Sequence, residues 1–174
     1  MNNQNNTKQI IDSHNKRILN ASKHTDNPQI TGDNKSCNCR QSQKNVYPLN
    51  GNCLQSSVIY QATVKRNENN TSETYIGLTE NAFKTRYRNH TASFRHTKHR
   101  NSTELSKHVW SLKDNNINYS ISWRIISSSS SYNSSSKRCN LCLKEKFLII
   151  CRPDLSSLNK RDELVSSCRH RNKA

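Results

Sequence analysis

The sequence predicts a mixed α/β domain of the α+β sandwich kind: a small three-stranded antiparallel sheet flanked by helices, in the order ββααβα. Three observations carry this. Residues 58–64 and 118–126 alternate apolar and polar side chains with β-branched and aromatic enrichment, which is strand periodicity. An Asn-rich turn follows the first of these runs and leads into a second strand-like run, as in a hairpin. Three further stretches repeat apolar residues at helical spacing. The apolar residues also concentrate between Leu54 and Leu164, in a chain of 174 residues of which only 30% are hydrophobic, well under the usual share of about 45–50%.

The elements follow in order. Val58, Tyr60, Ala62 and Val64 face one way and Ile59, Gln61 and Thr63 the other. Asn67-Glu68-Asn69-Asn70 is turn chemistry, and 73–78 completes the hairpin. Thr79 is expected to cap the next helix, with Glu80 in its first turn near the positive dipole end. Phe83, Tyr87, His90 and Phe94 then form a core-facing stripe. Asn101-Ser102 is expected to cap a second helix with Leu105, Val109 and Leu112 inward. Tyr119, Ile121 and Trp123 mark the third strand, 127–136 reads as a low-complexity loop, and 138–151 as a final helix stopped before Pro153.

Three regions precede or contain these elements. Residues 1–36 are rich in Asn, Ser and Thr and hold no aromatic residue. They cannot bury enough area to offset their ordering entropy and are expected to be a disordered polar tail, with Ile11, Ile18 and Leu19 sufficient for one short amphipathic helix. Residues 37–57 are a cysteine-bearing linker punctuated by Pro and Gly, and 58–174 form the folded domain.

The formal net charge is +16, from 28 Lys and Arg against 12 acids. Such an excess points to a polyanionic partner, with nucleic acid favoured over a membrane surface because no strongly amphipathic helix carries aromatic anchors. No run reaches the length of a transmembrane span. The N-terminus lacks an apolar h-region, so secretion is not expected. Seven cysteines in a chain without a secretory signal then argue for metal ligands or buried thiols rather than a disulfide framework.

Several residues can carry chemistry. Glu145 has Leu141, Cys142, Leu148 and Ile149 at i±3 and i±4, so its carboxylate faces inward, where an unpaired charge is costly. Either an Arg or Lys pairs with it, or it holds a metal. A single carboxylate leaves most of the shell to water and substrate phosphate, which suits Mg²⁺. Arg86 and His90 are neighbours on one helix face. A guanidinium bordering the core beside Phe83 can clamp a phosphate bidentately. The plain alternatives are a surface cation for Arg86 and a satisfied core histidine for His90. Cys139-x-x-Cys142 with Cys168-x-His170 makes a complete Zn²⁺ ligand set, the alternative being buried thiols and a surface histidine. Cys37, Cys39 and Cys53 are a weaker set, one ligand short, and Cys151 reads as a core thiol.

Tyr60 in Val58-Ile59-Tyr60, Tyr75 in Tyr75-Ile76-Gly77, Arg86 with His90, Glu145 and the later Asn159 form an ordered set that resembles the GIY-YIG nucleases. The stretch 36–173 is similar to the endonuclease region of Penelope-like retroelements. Its marks are Ser36-Cys37-Asn38-Cys39-Arg40, Pro48-Leu49-Asn50-Gly51, Thr74-Tyr75-Ile76-Gly77-Leu78-Thr79-Glu80, Thr103-Glu104-Leu105-Ser106-Lys107-His108-Val109-Trp110, Arg138-Cys139-Asn140-Leu141-Cys142 and Cys168-Arg169-His170-Arg171-Asn172-Lys173. The resemblance implies a DNA endonuclease that hydrolyses phosphodiester bonds with Mg²⁺ or Mn²⁺. In it Arg86 clamps phosphate, Glu145 binds the metal, Tyr60 activates water directly or by relay, Tyr75 and His90 support, and Asn159 orients site groups. A nearby Arg⁺ and metal are expected to lower the Tyr60 pKa. Gly77 matches the family glycine and allows close backbone approach, whereas Val58 replaces the first motif glycine. Tyr47 stands where the family commonly has a cysteine before Pro48, which leaves the first cysteine group incomplete. The resemblance also implies a nuclear location, nicking at an insertion site, and a reverse transcriptase domain and element RNA as partners. A rival from another class is a zinc-stabilised nucleic-acid-binding module without catalysis.

Overall fold

The computed structural model describes residues 13, 16, 49, 52–130, 132–135, 138–160 and 168. The chain divides into two units, 1–31 and 32–174, and all of these residues except Ser13 and Lys16 lie in the second. Ser13 and Lys16 are exposed and helical. The expectations for the tail as a whole, and for Cys37, Cys39 and His170, fall outside the described residues.

The second unit is a mixed α/β fold built on an antiparallel sheet of β1 (Val58–Arg66), β2 (Ser72–Thr79) and β3 (Tyr119–Ser128), in the order β2-β1-β3. Strand β1 is central, so its residues are covered on both faces: Val58 to Ala62 are all buried. Val58, Tyr60, Ala62 and Val64 pack against α1 (Phe83–Arg95) and α2 (Glu104–Asp114), with Phe83, Leu105, Val109, Leu112 and Trp123. Ile59, with Ile76 and Leu78 of β2, packs against α3 (Asn140–Cys151) through Leu141, Cys142 and Leu148. Gln61, on the α3 side, is buried but satisfied: it accepts from Arg124 Nε (2.6 Å) and donates to the Leu155 carbonyl (2.8 Å). The alternation read from the sequence is thus a division between two cores.

Register matters at the site. Tyr60 pairs with Gly77 across β1–β2. On the other side Ile59 pairs with Ser127 and Tyr60 with Ile125, so Ile126 is an extra residue in β3. Such a bulge re-aims side chains locally: Ile125 joins the α1–α2 core and the next residue, Ile126, joins the α3 core.

Local chemistry differs from expectation at three boundaries. Thr79 remains in β2 and donates to the Asn81 carbonyl, while α1 starts at Phe83 after Ala82 with no side-chain cap. Two main-chain bonds, Phe83 N–H to Gln55 and Lys84 N–H to Cys53, satisfy its first turn instead. The cap of α2 is Thr103, whose hydroxyl accepts from Ser106 N–H at 3.0 Å, rather than Asn101-Ser102. The low-complexity loop holds β4 (Tyr132–Asn133), paired with β5 (Arg138–Cys139) ahead of α3. Helix α2 ends on Asn116 in the left-handed region (φ 54°), with Ile117 N–H bonded to Leu112 and Asn116 N–H to Lys113; an Asn there does the work usually given to Gly.

Candidate active site

Four elements and the segment after α3 bring the expected residues together. Helix α1 packs on the sheet so that Phe83 and His90 are buried, and Arg86 lies between them in the chain. Strands β1 and β2 supply Tyr60 and Tyr75, α3 supplies Glu145, and the segment after α3 supplies Asn159. A cleft of about 630 Å³ is lined by Tyr75, Arg86, His90, Glu145 and Asn159. Tyr60 is not on its wall: it is fully buried behind it, ringed by Phe83, His90 and Trp123.

Tyr60 reaches the cleft through hydrogen bonds. Arg86 Nε donates to its hydroxyl oxygen over 2.9 Å, and the same oxygen lies 2.7 Å from His90 Nε2. Burial, followed by the charge of Arg86, pushes the His90 pKa down to about 3. His90 is therefore neutral at physiological pH. The arrangement that satisfies all three groups has Arg86 donating to Tyr60 and Tyr60 donating to His90 Nε2, which assigns the imidazole proton to Nδ1. Burial and then Tyr75 hold the Tyr60 phenol above its usual range, and Arg86 offsets only part of this. The expectation of a lowered Tyr60 pKa is thereby corrected for the chain alone: desolvation of a fully buried phenolate outweighs one cation. Burial also works to lower the Arg86 pKa, but the two phenols, Tyr60 first, outweigh it and raise the value.

Gly77 has a concrete reason. A Cβ there would collide with the Tyr60 hydroxyl and sit 2.6 Å from its ring carbon Cζ. The close approach is thus of the Tyr60 phenol across the β2 backbone. Asn159 is equally specific. Its Oδ1 accepts from Ile76 N–H (2.7 Å) and its Nδ2 donates to the Ile76 carbonyl (2.9 Å). One amide side chain thereby pairs the outer edge of β2, next to Tyr75. Leu158 N–H to Thr74 O extends that pairing.

Glu145 is 8% exposed, and its charge is felt at Tyr60. On α3 it shares the cleft-lining face with Cys142, Lys146 and Ile149. The sequence reading missed Lys146, Asn89 and Lys160 as cleft residues. Lys146 and Lys160 directly follow Glu145 and Asn159, and that adjacency was the available signal.

Cys139, Cys142 and Cys168 place their sulfurs within 4.8 Å of one another, close enough to hold a metal ion, with Cys142 and Cys168 3.7 Å apart. Cys139 ends β5 at the position just before α3, and Cys142 lies in the first turn of that helix. Burial raises both thiol pKa values, so a metal ion would have to displace protons to bind. Two cysteine expectations are corrected. Cys53 is disulfide-bonded, so it has no thiolate to offer a metal and departs from the expectation that the cysteines avoid disulfides. Cys151, the last residue of α3, is exposed rather than in the core, because the helix face it continues ends there. Among the described residues no helix is long and apolar enough to cross a membrane.

Set against known proteins, the chain matches no protein-family model, no curated protein and no solved structure.

Proposed function

We propose that the chain is a metal-dependent DNA endonuclease of the GIY-YIG type, which nicks target DNA in the nucleus for insertion of a retroelement. The observation that carries this reading is the convergence of Arg86, Glu145, Tyr75, His90 and Asn159 on one cleft, with Tyr60 bonded behind Arg86 and His90. These groups come from four separate elements and the segment after α3, and simple core packing does not require them to meet.

The residues fit a hard divalent cation. Glu145 offers carboxylate oxygen at the cleft, with room beside it for water and phosphate. Bound Mg²⁺ or Mn²⁺ would supply Lewis-acid polarisation of the phosphoryl oxygen and a more acidic water. The chain's own groups do the rest. Arg86 has its Nε engaged by Tyr60 and is hydrogen-bonded by Tyr75 as well, which fixes the guanidinium plane at the cleft wall, where a phosphate can meet it. Charge on the pentavalent phosphate is then met by a cation that needs no reorientation. Tyr75, on the cleft wall, is the phenol placed to touch the attacking water. Tyr60 acts through Arg86 and His90 rather than on water itself. Asn159 holds the edge of β2, and hence Tyr75, in register. In-line attack leaves a 3′-hydroxyl, able to prime a reverse transcriptase on element RNA.

The three cysteines form a soft donor set suited to Zn²⁺. The zinc-stabilised binding module without catalysis rests on this cluster and on the charge. It leaves the Tyr60–Arg86–His90 network without a purpose. Incubation of supercoiled plasmid with Mg²⁺ separates the two readings. The nuclease reading expects metal-dependent open circles whose nicks a polymerase extends directly, with at least a hundredfold loss in Arg86→Ala. Binding without any nicking favours the module.

A further inference from the structure

The cleft does not end at the residues that meet the scissile phosphate. It continues past His90 to His99, Ser102 and Thr103, where α1 turns into α2. Between Glu80 and Glu104 the chain carries six Lys or Arg and no acid. Half of these cations fall in 95–100, Arg-His-Thr-Lys-His-Arg, which leaves α1, makes a single 3-10 turn at Thr97–His99 and is exposed throughout. Among the described residues Arg95, His96 and Lys98 enter no ion pair. Arg100 is held by Asp114 and covers the face of Trp110. The acid that follows, Glu104, is met by Lys107 at 2.8 Å and Lys160 at 3.7 Å, so it does not cancel the cations of the corner.

We propose that this α1–α2 corner is the docking track for the DNA duplex that flanks the cut, with Arg95 and Lys98 on its phosphates. The inference rests on the nuclease reading of the cleft and adds where the duplex lies. Two arguments support it. The corner is continuous with the cleft, so one ligand can occupy both. Its unpaired charge is of one sign, and maintaining exposed unpaired cations together opposes stability unless a polyanion meets them. These contacts are to phosphate and read no bases, so they contribute affinity without sequence preference.

The test measures binding of a fluorescent 20-base-pair duplex in magnesium-free buffer across a salt series. Wild type is compared with Arg95→Gln/Lys98→Gln and with a control that removes two exposed charges outside the cleft, Lys65→Gln/Arg138→Gln. The corner variant is expected to lose roughly tenfold in affinity and about 2 in the log–log salt slope, about 0.9 per phosphate contact. The control should stay within twofold of wild type. With Mg²⁺ and saturating DNA the corner variant should cut at the wild-type single-turnover rate. Equal slopes for the corner variant and the control overturn the track while leaving the nuclease reading intact. A wild-type protein that ignores duplex DNA but binds vesicles of anionic lipid overturns both.

Discussion

At the scale of single residues, the account rests on Tyr60 and on what surrounds it. Gly77 exists because the Tyr60 phenol lies over its Cα. Gly77→Ala should lower stability by about 1–3 kcal/mol through overpacking, read by denaturant unfolding, and should reduce cleavage by displacing the hydroxyl that anchors Arg86. An alanine variant as stable as wild type would mean that the phenol has somewhere else to go. His90 gives a pH signature. Its folded pKa is about 3, against an ordinary value near 6.5. Between the two the unfolded chain binds a proton and the folded chain does not, so stability rises with pH there. The contribution is complete above about pH 6.5 and is lost as pH falls toward 3, with a slope of at most about 1.4 kcal/mol per unit. His108 is also shifted down and adds in the same direction. The measurement is therefore the difference between wild type and His90→Gln, which should flatten over that window. These residues were named by the sequence, because tyrosine and arginine types at motif spacing are visible in one dimension. The burial of Tyr60 behind the wall was not, since it follows from packing against Trp123, 63 positions away in the chain.

At the scale of elements, periodicity made the sheet and helices legible, and capping made their boundaries misleading. Thr79 carries a good capping side chain yet stays in β2, because main-chain bonds to Gln55 and Cys53 start α1 instead. The short β4–β5 pair was hidden in a serine run whose composition says loop, and only the pairing of Tyr132 with Cys139 reveals it. The edge of β2 could not be foreseen as the place for Asn159, because an asparagine in a turn has no periodic signal. Asn159→Ala should cost about 1–3 kcal/mol by leaving the Ile76 N–H and C=O unpaired. Amide exchange at Ile76 should quicken more than at Leu78. Uniform exchange across β2 would deny Asn159 this role. The cysteine cluster belongs to the start of α3. Zinc binding there should release protons, raise the unfolding temperature and, with Co²⁺ in its place, give thiolate-to-metal absorption that Cys142→Ser weakens. A purified protein that retains no metal and is indifferent to chelation would make these ordinary buried thiols.

At the scale of the whole molecule, the charge of +16 and the cleft describe one logic. In the proposed function, cations gather the polyanion, and a small set of buried polar groups, expensive to desolvate and satisfied by one another, lies where it would be held. Arg86 links the two, since it is both a cation on the cleft wall and the donor to Tyr60. Glu145 is the group on which the proposed catalysis depends, because a carboxylate in a cleft proposed to take phosphate works against binding unless a cation sits between them. The most direct measurement is nicking of supercoiled plasmid in Mg²⁺ by wild type and by Glu145→Gln, at protein concentrations where both bind the DNA fully. The account predicts open circles with wild type. With the glutamine variant it predicts a loss of at least a hundredfold at unchanged or tighter DNA affinity, because the change removes the metal ligand and one negative charge while keeping the side chain's shape. Nicking by Glu145→Gln at the wild-type rate would contradict it.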